Sequence, residues 1–592
     1  MPPDPSEHNA SPVIWDHETG LPRSRLYDDV YFSAADGLAE SRAVFLQGCG
    51  LPDAWRGRRR FTVGELGFGS GLNIAALLDL WRREGEPGAR LHVFSIEAHP
   101  MPAADAARVL AHWPELDDLA QALVARWPGR AAGFHRVDLP QFGATLDLAV
   151  MDAAQALTAW SGRADAWFLD GFSPAANPAM WSAEVLAGVA RASAPGARAA
   201  TFTVAGAVRR ELAEQGFAVD KRPGFGRKRE RLEAVRPGEP APDDAPKRVA
   251  VIGAGIAGAA LARAFAALDA AVTVVEAAEP GAGASGNPAA LVAPRLDAGG
   301  GPVAQLFAQA FARARDLYGD VPEAVIAAGA WIAETGPRDG ERFARVAGSG
   351  LFEDGQLELA PGGLKNHGAL VVEPQAVLDR WLGGCAHLVA EVGRIEHGAG
   401  GWVVYDRAGV AVLQADLVVL AAGAACQRLA PGLELGVVRG QVSVAPVWTP
   451  APEPAIGAGY VIPTRRGLLF GATHDRDQAD TAVRAEDHAR NLALLATVRP
   501  DLAAALREVA LEGRAGLRAA CTDFLPLAGA VEGEAPGLFV LAGLGSRGFC
   551  AAPLLAEHVA ALALGAPSPL PSPLAGIVNP ARFARRRARR GG

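Results

Sequence analysis

Cysteine is scarce: Cys49, Cys385, Cys426, Cys521 and Cys550 are the five in 592 residues, far apart and without a CxxC pair. That spacing argues against a disulfide framework or a structural zinc site and fits a reducing compartment. The N-terminus carries acids and prolines where a signal peptide needs a basic patch and an apolar run. The longest apolar stretch, 251–275, is broken by Arg263 and Asp269, so it reads as a buried strand and its helix rather than a membrane span. No short internal repeat is visible. These absences predict a cytosolic protein without membrane, metal or obligatory protein partner.

Half of the residues are hydrophobic and 21% are charged, a globular composition long enough for at least two cores. The net charge of −8 argues mildly against nucleic acid. Charge is uneven, however. Lys221, Arg222, Arg227, Lys228, Arg229 and Arg231 crowd one segment, and ARFARRRARR (581–590) is strongly basic. A solvated surface and an RNA contact are both open for these runs.

The stretch RPGEPAPDDAPK (236–247) lacks apolar periodicity and reads as a linker. It predicts a first domain over 1–236, a linker over 237–247, a second domain over 248–570 and a basic tail over 571–592. In the first domain, strand-like runs (FTVGELGFG, LHVFSIEA, LDLAVMDA, AWFLDGF) alternate with Ala/Leu-rich helical stretches, which predicts an α/β fold with a parallel sheet. The second domain opens in the same way and continues into hairpin-like strands such as GWVVYDRAGVAVL.

Glu65, Gly67, Gly69 and Gly71 lie at the end of the first such strand, just before the helical run LNIAALLDLWRR. Glycines there let the backbone turn sharply and approach a ligand, and the helix N-terminus points at it. Glu97 ends the next strand, 26 residues beyond Gly71, where a carboxylate can hold ribose hydroxyls. The loop lacks the Lys-Ser/Thr pair of a P-loop, which disfavours ATP. Asp152 follows a further strand and is a candidate acceptor for an adenine amino group. Asp170 follows the strand AWFL; it reads as a turn or cap residue or, preferred for its aromatic and proline surroundings, as a catalytic carboxylate.

Gly253, Gly255 and Gly258 form a GxGxxG turn between the strand RVAVI and the helix AALARAFAAL, and Glu276 ends the next strand 18 residues past Gly258. Strand, turn, helix and acid together predict a dinucleotide site, NAD or FAD. Two later elements resemble those of flavin oxidases: DLVVLAAG, ending at Gly423, and LAGLGSRG, with Gly543, Gly545, Arg547 and Gly548. The stretch GAGASGNPAALVAPRL (281–296) looks like the loop that crosses a flavin. Arg518 matches the carboxylate-binding position of glycine- and D-amino-acid-oxidase-like enzymes, and a guanidinium holds a carboxylate through two parallel hydrogen bonds. Arg547 is a second candidate, for the carboxylate or for the flavin. The Arg439-Gly440-Gln441 turn is expected to line the pocket; Tyr460 is expected there or in the core.

RLYDDVYFS (25–33), the first glycine loop, DAWFLDGFSPAANPAMW (165–181) and GFGRKRE (224–230) resemble the methyltransferase half of the MnmC family. Residues 248–560 resemble its oxidase half, and the order of the halves matches; Pro288 and Ala289 depart from the basic or polar pair expected there. The resemblance implies a Rossmann-like S-adenosylmethionine-dependent methyltransferase fused to an FAD-binding, amino-acid-oxidase-like α/β domain with a mixed-sheet substrate subdomain. It implies a tRNA partner, met at the wobble uridine of the anticodon loop. The second domain would oxidise the carboxymethyl group away from 5-carboxymethylaminomethyl-(2-thio)uridine with Arg518 on the carboxylate. The first would methylate the resulting amine with Asp170 beside it. Because the glycine moiety hides the nitrogen, oxidation precedes methylation. The alternative is a fused small-molecule N-methyltransferase and glycine- or sarcosine-type oxidase acting on free amino acids, which would need no basic surface.

Overall fold

A computed structural model describes residues 11–18, 20–32, 36–226, 228–240 and 245–590. Ser33, Arg227, residues 241–244 of the expected linker and residues 591–592 of the expected tail lie outside the described residues. The chain divides into two compact units, Met1–Ala245 and Pro246–Gly592. Among the described residues no helix is long and apolar enough to cross a membrane, and no group of three or more His, Cys, Asp or Glu could hold a metal ion.

The first unit contains an eight-stranded sheet. Its strands are β1 (Arg60–Leu66), β2 (Arg90–Ile96), β3 (Gly133–Leu139), β4 (Ala144–Val150), β5 (Ala164–Leu169), β6 (Ser193–Thr201), β7 (Ala218–Pro223) and β8 (Glu230–Val235). Their spatial order is β3-β4-β2-β1-β5-β6-β8-β7. The five strands from β4 to β6 are parallel, and the outer strands pair antiparallel. The strand order reverses between β1 and β5, so their carboxyl ends open the crevice where doubly wound sheets bind ligands. Both faces are covered, which is why β1 is buried from Phe61 to Leu66. One face carries Phe61, Val63 and the helix α1 (Leu72–Glu84); the other carries Phe94, Trp160 and Trp167. Phe94 stacks on Trp160 with ring centroids 4.2 Å apart, a contact that adds about 1 kcal/mol to its area burial.

The second unit contributes β9 (Arg248–Ile252), β10 (Ala271–Glu276), β11 (Ala386–Val389), β12 (Leu417–Leu420), β13 (Gly436–Ala445), β14 (Tyr460–Pro463), β15 (Leu468–Gly471), β16 (Glu512–Ala520), β17 (Leu527–Ala530) and β18 (Leu538–Ala542). A six-stranded sheet runs β11-β10-β9-β12-β18-β17, parallel except for β17. Its core is shared by α2 (Ile256–Ala266), α3 (Pro302–Gly319) and α4 (Gly548–Leu564). A second sheet of ten strands includes β13 to β16 and is mixed, with one parallel pair among antiparallel ones.

Residues 571–590, expected as a basic tail, are helical and anchored to this unit. Leu574 and Val578 join the core of α2, α3 and α4. Arg582, at the start of the last helix (Arg582–Arg590), is 4% exposed and holds Asp523 through Nε and Nη2, each at 2.9 Å. Arg585 and Arg586 pair with Glu532 and Asp523.

Candidate active sites

In the first unit, Gly67 (φ +84°), Gly69 (φ +52°) and Gly71 (φ +73°) all take the left-handed conformation that favours glycine. Gly67 also passes so close to β5 that a Cβ there would lie 3.1 Å from the Asp170 carbonyl oxygen. The loop and Asp170 therefore share the switch point. Gly69 N–H donates to Glu97 Oε2 at 3.2 Å, and His99 N–H to Glu97 Oε1 at 3.0 Å. Glu97 is thus fixed against the loop, with lone pairs to spare. Asp152 is exposed and caps the helix Ala153–Ala159, its Oδ1 accepting from Ala154 N–H at 2.9 Å. That capping role was not read from the sequence. Glu97 and Asp152 both push the Tyr27 phenol upward, after burial, so the three groups are neighbours.

Glu65 is fully buried beneath the loop. Ser95 Oγ donates to its Oε2, while its Oε1 has no hydrogen-bond partner among the described residues. Burial pushes its carboxyl up to about 8 against the Ser95 hydrogen bond, and the nearby Asp170 adds to the rise. A buried acceptor left without a donor is what a bound cofactor's polar group would satisfy.

Asp170 accepts from Asn73 Nδ2 at 2.8 Å and from Gly171 N–H at 2.9 Å. Burial raises its carboxyl to about 6 in spite of those bonds; Glu40 raises it further and Lys228 lowers it. The group is ionised at neutral pH yet basic enough to take a proton. Asn73 is itself oriented by Ser41 Oγ, which donates to its Oδ1 at 2.7 Å. Sequence reasoning quoted Asn73 within the loop motif without giving it a role; only the fold shows it buried in the first turn of α1.

The RLYDDVYF segment folds over this site. Tyr27 and Tyr31 pack on Phe172 at 5.0 and 5.3 Å, and Ser173 N–H donates to Asp29 Oδ2 at 3.0 Å. The basic segment is largely neutralised. Lys221 pairs with Glu230, Arg222 with Asp220 and Arg231 with Glu233. Lys228 pairs with Glu40 at 2.8 Å and sits 4.1 Å over the Phe202 ring. Arg229 is exposed.

The second unit holds a cleft of about 780 Å³. The GxGxxG turn forms one end. Gly253 (φ +112°) passes within 2.7 Å, measured from a hypothetical Cβ, of the Ala421 carbonyl; a Cβ on Gly258 would lie 1.8 Å from the Gly253 carbonyl. Gly258 thus brings helix and strand together rather than lining the cleft. Gly255 caps α2, whose first N–H, that of Ile256, donates to Ser285 Oγ at 3.0 Å. Glu276 lines the cleft and takes Ala254 N–H at 2.6 Å and Ala277 N–H at 2.8 Å. Gly423, Gly543 and Gly545 line it with positive φ, and Gly548 begins α4, whose N-terminus also opens there.

Arg547 lines the cleft, but its Nη1 donates to the carbonyls of Ala293 and Pro294 at 2.9 and 3.0 Å. It anchors the 281–296 loop. Arg514, absent from the sequence reading, clamps the other end of that loop through the carbonyls of Ala282 and Gly283 and through Asn287 Oδ1. Ala289 lines the cleft and Pro288 does not, so Asn287 and Ser285 supply polarity where the expected pair is missing.

Arg518 lies on β16 opposite Val438 and lines the cleft. Among the described residues it makes no hydrogen bond or ion pair, and a Cβ on Gly440 would fall 2.5 Å from its Nη2. Tyr460 and His474 line the same cleft. Arg439 and Gln441, expected at the pocket with Gly440, are fully buried elsewhere: Arg439 pairs with Asp487 at 2.7 Å and Gln441 bonds Arg484. Alternation along β13 turns both away from the face that Gly440 shares with Arg518.

Residues 114–237 match the model of an S-adenosyl-L-methionine-dependent methyltransferase family, and residues 248–562 that of the FAD dependent oxidoreductases. The chain is 58% identical, over 98% of its length and 99% of the relative, to the tRNA 5-methylaminomethyl-2-thiouridine biosynthesis bifunctional protein MnmC of a Caulobacter species. The protein of the same name from Maricaulis maris is 42% identical over 100% of this chain and 99% of its own. Among solved structures, glycine oxidase from Geobacillus kaustophilus aligns with a TM-score of 0.47 at 24% identity, over 57% of this chain and 99% of that one.

Proposed function

The chain belongs to the MnmC family, and we propose that its two units modify a tRNA wobble uridine in succession, the second unit acting first. It is a bifunctional enzyme that uses S-adenosylmethionine and FAD. When bound, FAD supplies a two-electron oxidant and S-adenosylmethionine an electrophilic methyl group.

In the second unit, Glu276 takes the ribose hydroxyls of FAD, and the turn of Gly253 and Gly255 with the α2 N-terminus takes its pyrophosphate. Gly423, Gly543, Gly545 and Gly548 leave room for close approach of backbone to cofactor, and Arg547 holds the crossing loop. Arg518 grips the carboxylate of the carboxymethylaminomethyl side chain and so places its methylene for oxidation. The product imine hydrolyses to glyoxylate and an aminomethyl group.

In the first unit, Glu97 and Asp152 hold the adenosine of S-adenosylmethionine, and Glu65 with the turn of Gly67, Gly69 and Gly71 holds its amino-acid part. Asp170 accepts a proton from the substrate amine, leaving the nitrogen lone pair free for in-line attack on the methyl carbon. Anticodon loops are read through splayed bases, stacking and phosphates, for which the aromatic cluster around Phe172 and the exposed Arg229 are suited. A tRNA substrate places the work in the cytoplasm, in keeping with five free cysteines.

The observation that carries this reading is the pairing, in one chain, of an unpartnered Arg518 in the cleft with a half-buried Asp170 at the switch point. Purified enzyme supplied with tRNA carrying carboxymethylaminomethyl uridine converts it to the aminomethyl form without S-adenosylmethionine and to the methylaminomethyl form with it. Unchanged nucleosides alongside oxidation of free glycine would instead establish the free amino-acid reading.

A further inference from the structure

Four polar side chains line the cleft without any side-chain hydrogen bond among the described residues: Arg518, Tyr460, His474 and Ser546, whose hydroxyl is no base at neutral pH. The other basic or acidic groups there are committed. Glu276 holds backbone N–H groups, and Glu391 pairs with Arg407 at 3.1 Å. Arg547 is spent on loop carbonyls. An N-alkylglycine brings two demands to such a site: its carboxylate needs donors, and its ammonium must lose a proton before the adjacent C–H bond can yield a hydride. Arg518 meets the first. It cannot meet the second, because a guanidinium accepts nothing. Tyr460, whose phenol burial holds above its ordinary value, is a poor acceptor at neutral pH.

His474 remains, three residues beyond the end of β15 at Gly471 and directly after Thr473, whose Oγ1 accepts from Gln441 N–H at 2.9 Å and whose N–H donates to the Gln441 carbonyl at 3.1 Å. That double tie fixes the backbone that carries the imidazole. Charges face it from two elements: Arg518 on β16, and Arg476 with Asp475 on its own segment. Asp475 is held by Arg490 at 2.8 Å and lies 3.7 Å from Arg439, which spends its charge. Partial desolvation and then the two arginines hold the imidazole, whose side is open to the cleft, below its ordinary value, hence neutral at physiological pH and open to a proton.

Resting on the tRNA reading above, we propose that His474 is a further catalytic residue, the base that takes the proton of the substrate's secondary ammonium. The N–H bond breaks toward His474, and the freed lone pair forms the C=N bond as hydride leaves the methylene to the oxidised flavin. Water adds to the imine carbon and the C–N bond breaks. Protonated His474 returns its proton to the departing amine, leaving glyoxylate and the aminomethyl nucleoside.

His474→Gln, with His474→Asn as a second variant, tests this on the FAD-loaded full chain. At pH 7 demodification of tRNA falls roughly 100-fold in kcat with KM nearly unchanged, and its acid limb moves to higher pH, toward that of the substrate ammonium. Methylthioacetate, which has the carboxylate but no amine proton, supplies a readout independent of turnover. Its Kd, measured by calorimetry, tightens roughly tenfold between pH 8 and pH 5 in the wild type as the neighbouring imidazole gains charge, and stays flat in both variants. A wild-type acid limb together with an unaltered pH dependence of methylthioacetate binding would overturn the assignment. The binding arm needs no tRNA, so loss of the tRNA reading and loss of the His474 role give different results.

Discussion

Asn73 Nδ2 donates to Asp170 Oδ2 at 2.8 Å across the crevice between β1 and β5, while Ser41 holds the other end of the Asn73 amide. The bond stabilises the ionised carboxylate and opposes the effect of burial. Asn73→Ala therefore raises the Asp170 carboxyl beyond about 6. The acid limb of methylation, followed on preformed aminomethyl tRNA, moves to higher pH with a loss of roughly tenfold at pH 6.5. Oxidation by the second unit is unchanged. An unmoved limb would show that Asn73 does not tune Asp170.

Asp170 also links function to stability. Its folded value of about 6 lies above the ordinary 3.8, so its protonated form favours the folded state. That favourable contribution is full below 3.8 and is lost as pH rises through about 6. At pH 8 the half-buried charge is thus a net cost, and Asp170→Asn raises the melting temperature of the first unit there, an advantage that disappears near pH 3.8. Thermal unfolding at the two pH values checks the sign.

Gly440→Ala places a methyl group 2.5 Å from Arg518 Nη2. Displacing the guanidinium raises KM for the carboxymethylaminomethyl substrate by roughly tenfold and leaves methylation intact. Equal kinetics in the variant would mean that Arg518 has room to yield.

Gly258→Ala is more severe, because the added methyl meets the Gly253 carbonyl at 1.8 Å and backbone cannot step aside. The purified variant lacks flavin absorbance while the first unit still binds S-adenosylmethionine.

The features legible in the sequence are those with a local cause. Gly67, Gly69 and Gly71 announce left-handed backbone, and Glu97 and Glu276 follow their strands at fixed spacing. Long-range geometry was not legible. Nothing near Asn73 in sequence says that it meets Asp170, 97 residues away. Arg439 and Gln441 flank Gly440, and only the pleat of β13 decides that they face Asp487 and Arg484 while the glycine faces Arg518. The partners of the basic runs, Glu40 for Lys228 and Asp523 for Arg582, were not legible either, because they lie far along the chain.

The most direct test compares two variants on tRNA carrying carboxymethylaminomethyl uridine, with FAD and S-adenosylmethionine present and nucleosides resolved by mass spectrometry. Arg518→Ala accumulates the starting nucleoside, at least 100-fold slower to disappear, yet methylates aminomethyl tRNA normally. Asp170→Ala accumulates the aminomethyl intermediate. The account is contradicted if Asp170→Ala yields methylaminomethyl uridine at the wild-type rate, or if Arg518→Ala still removes the carboxymethyl group.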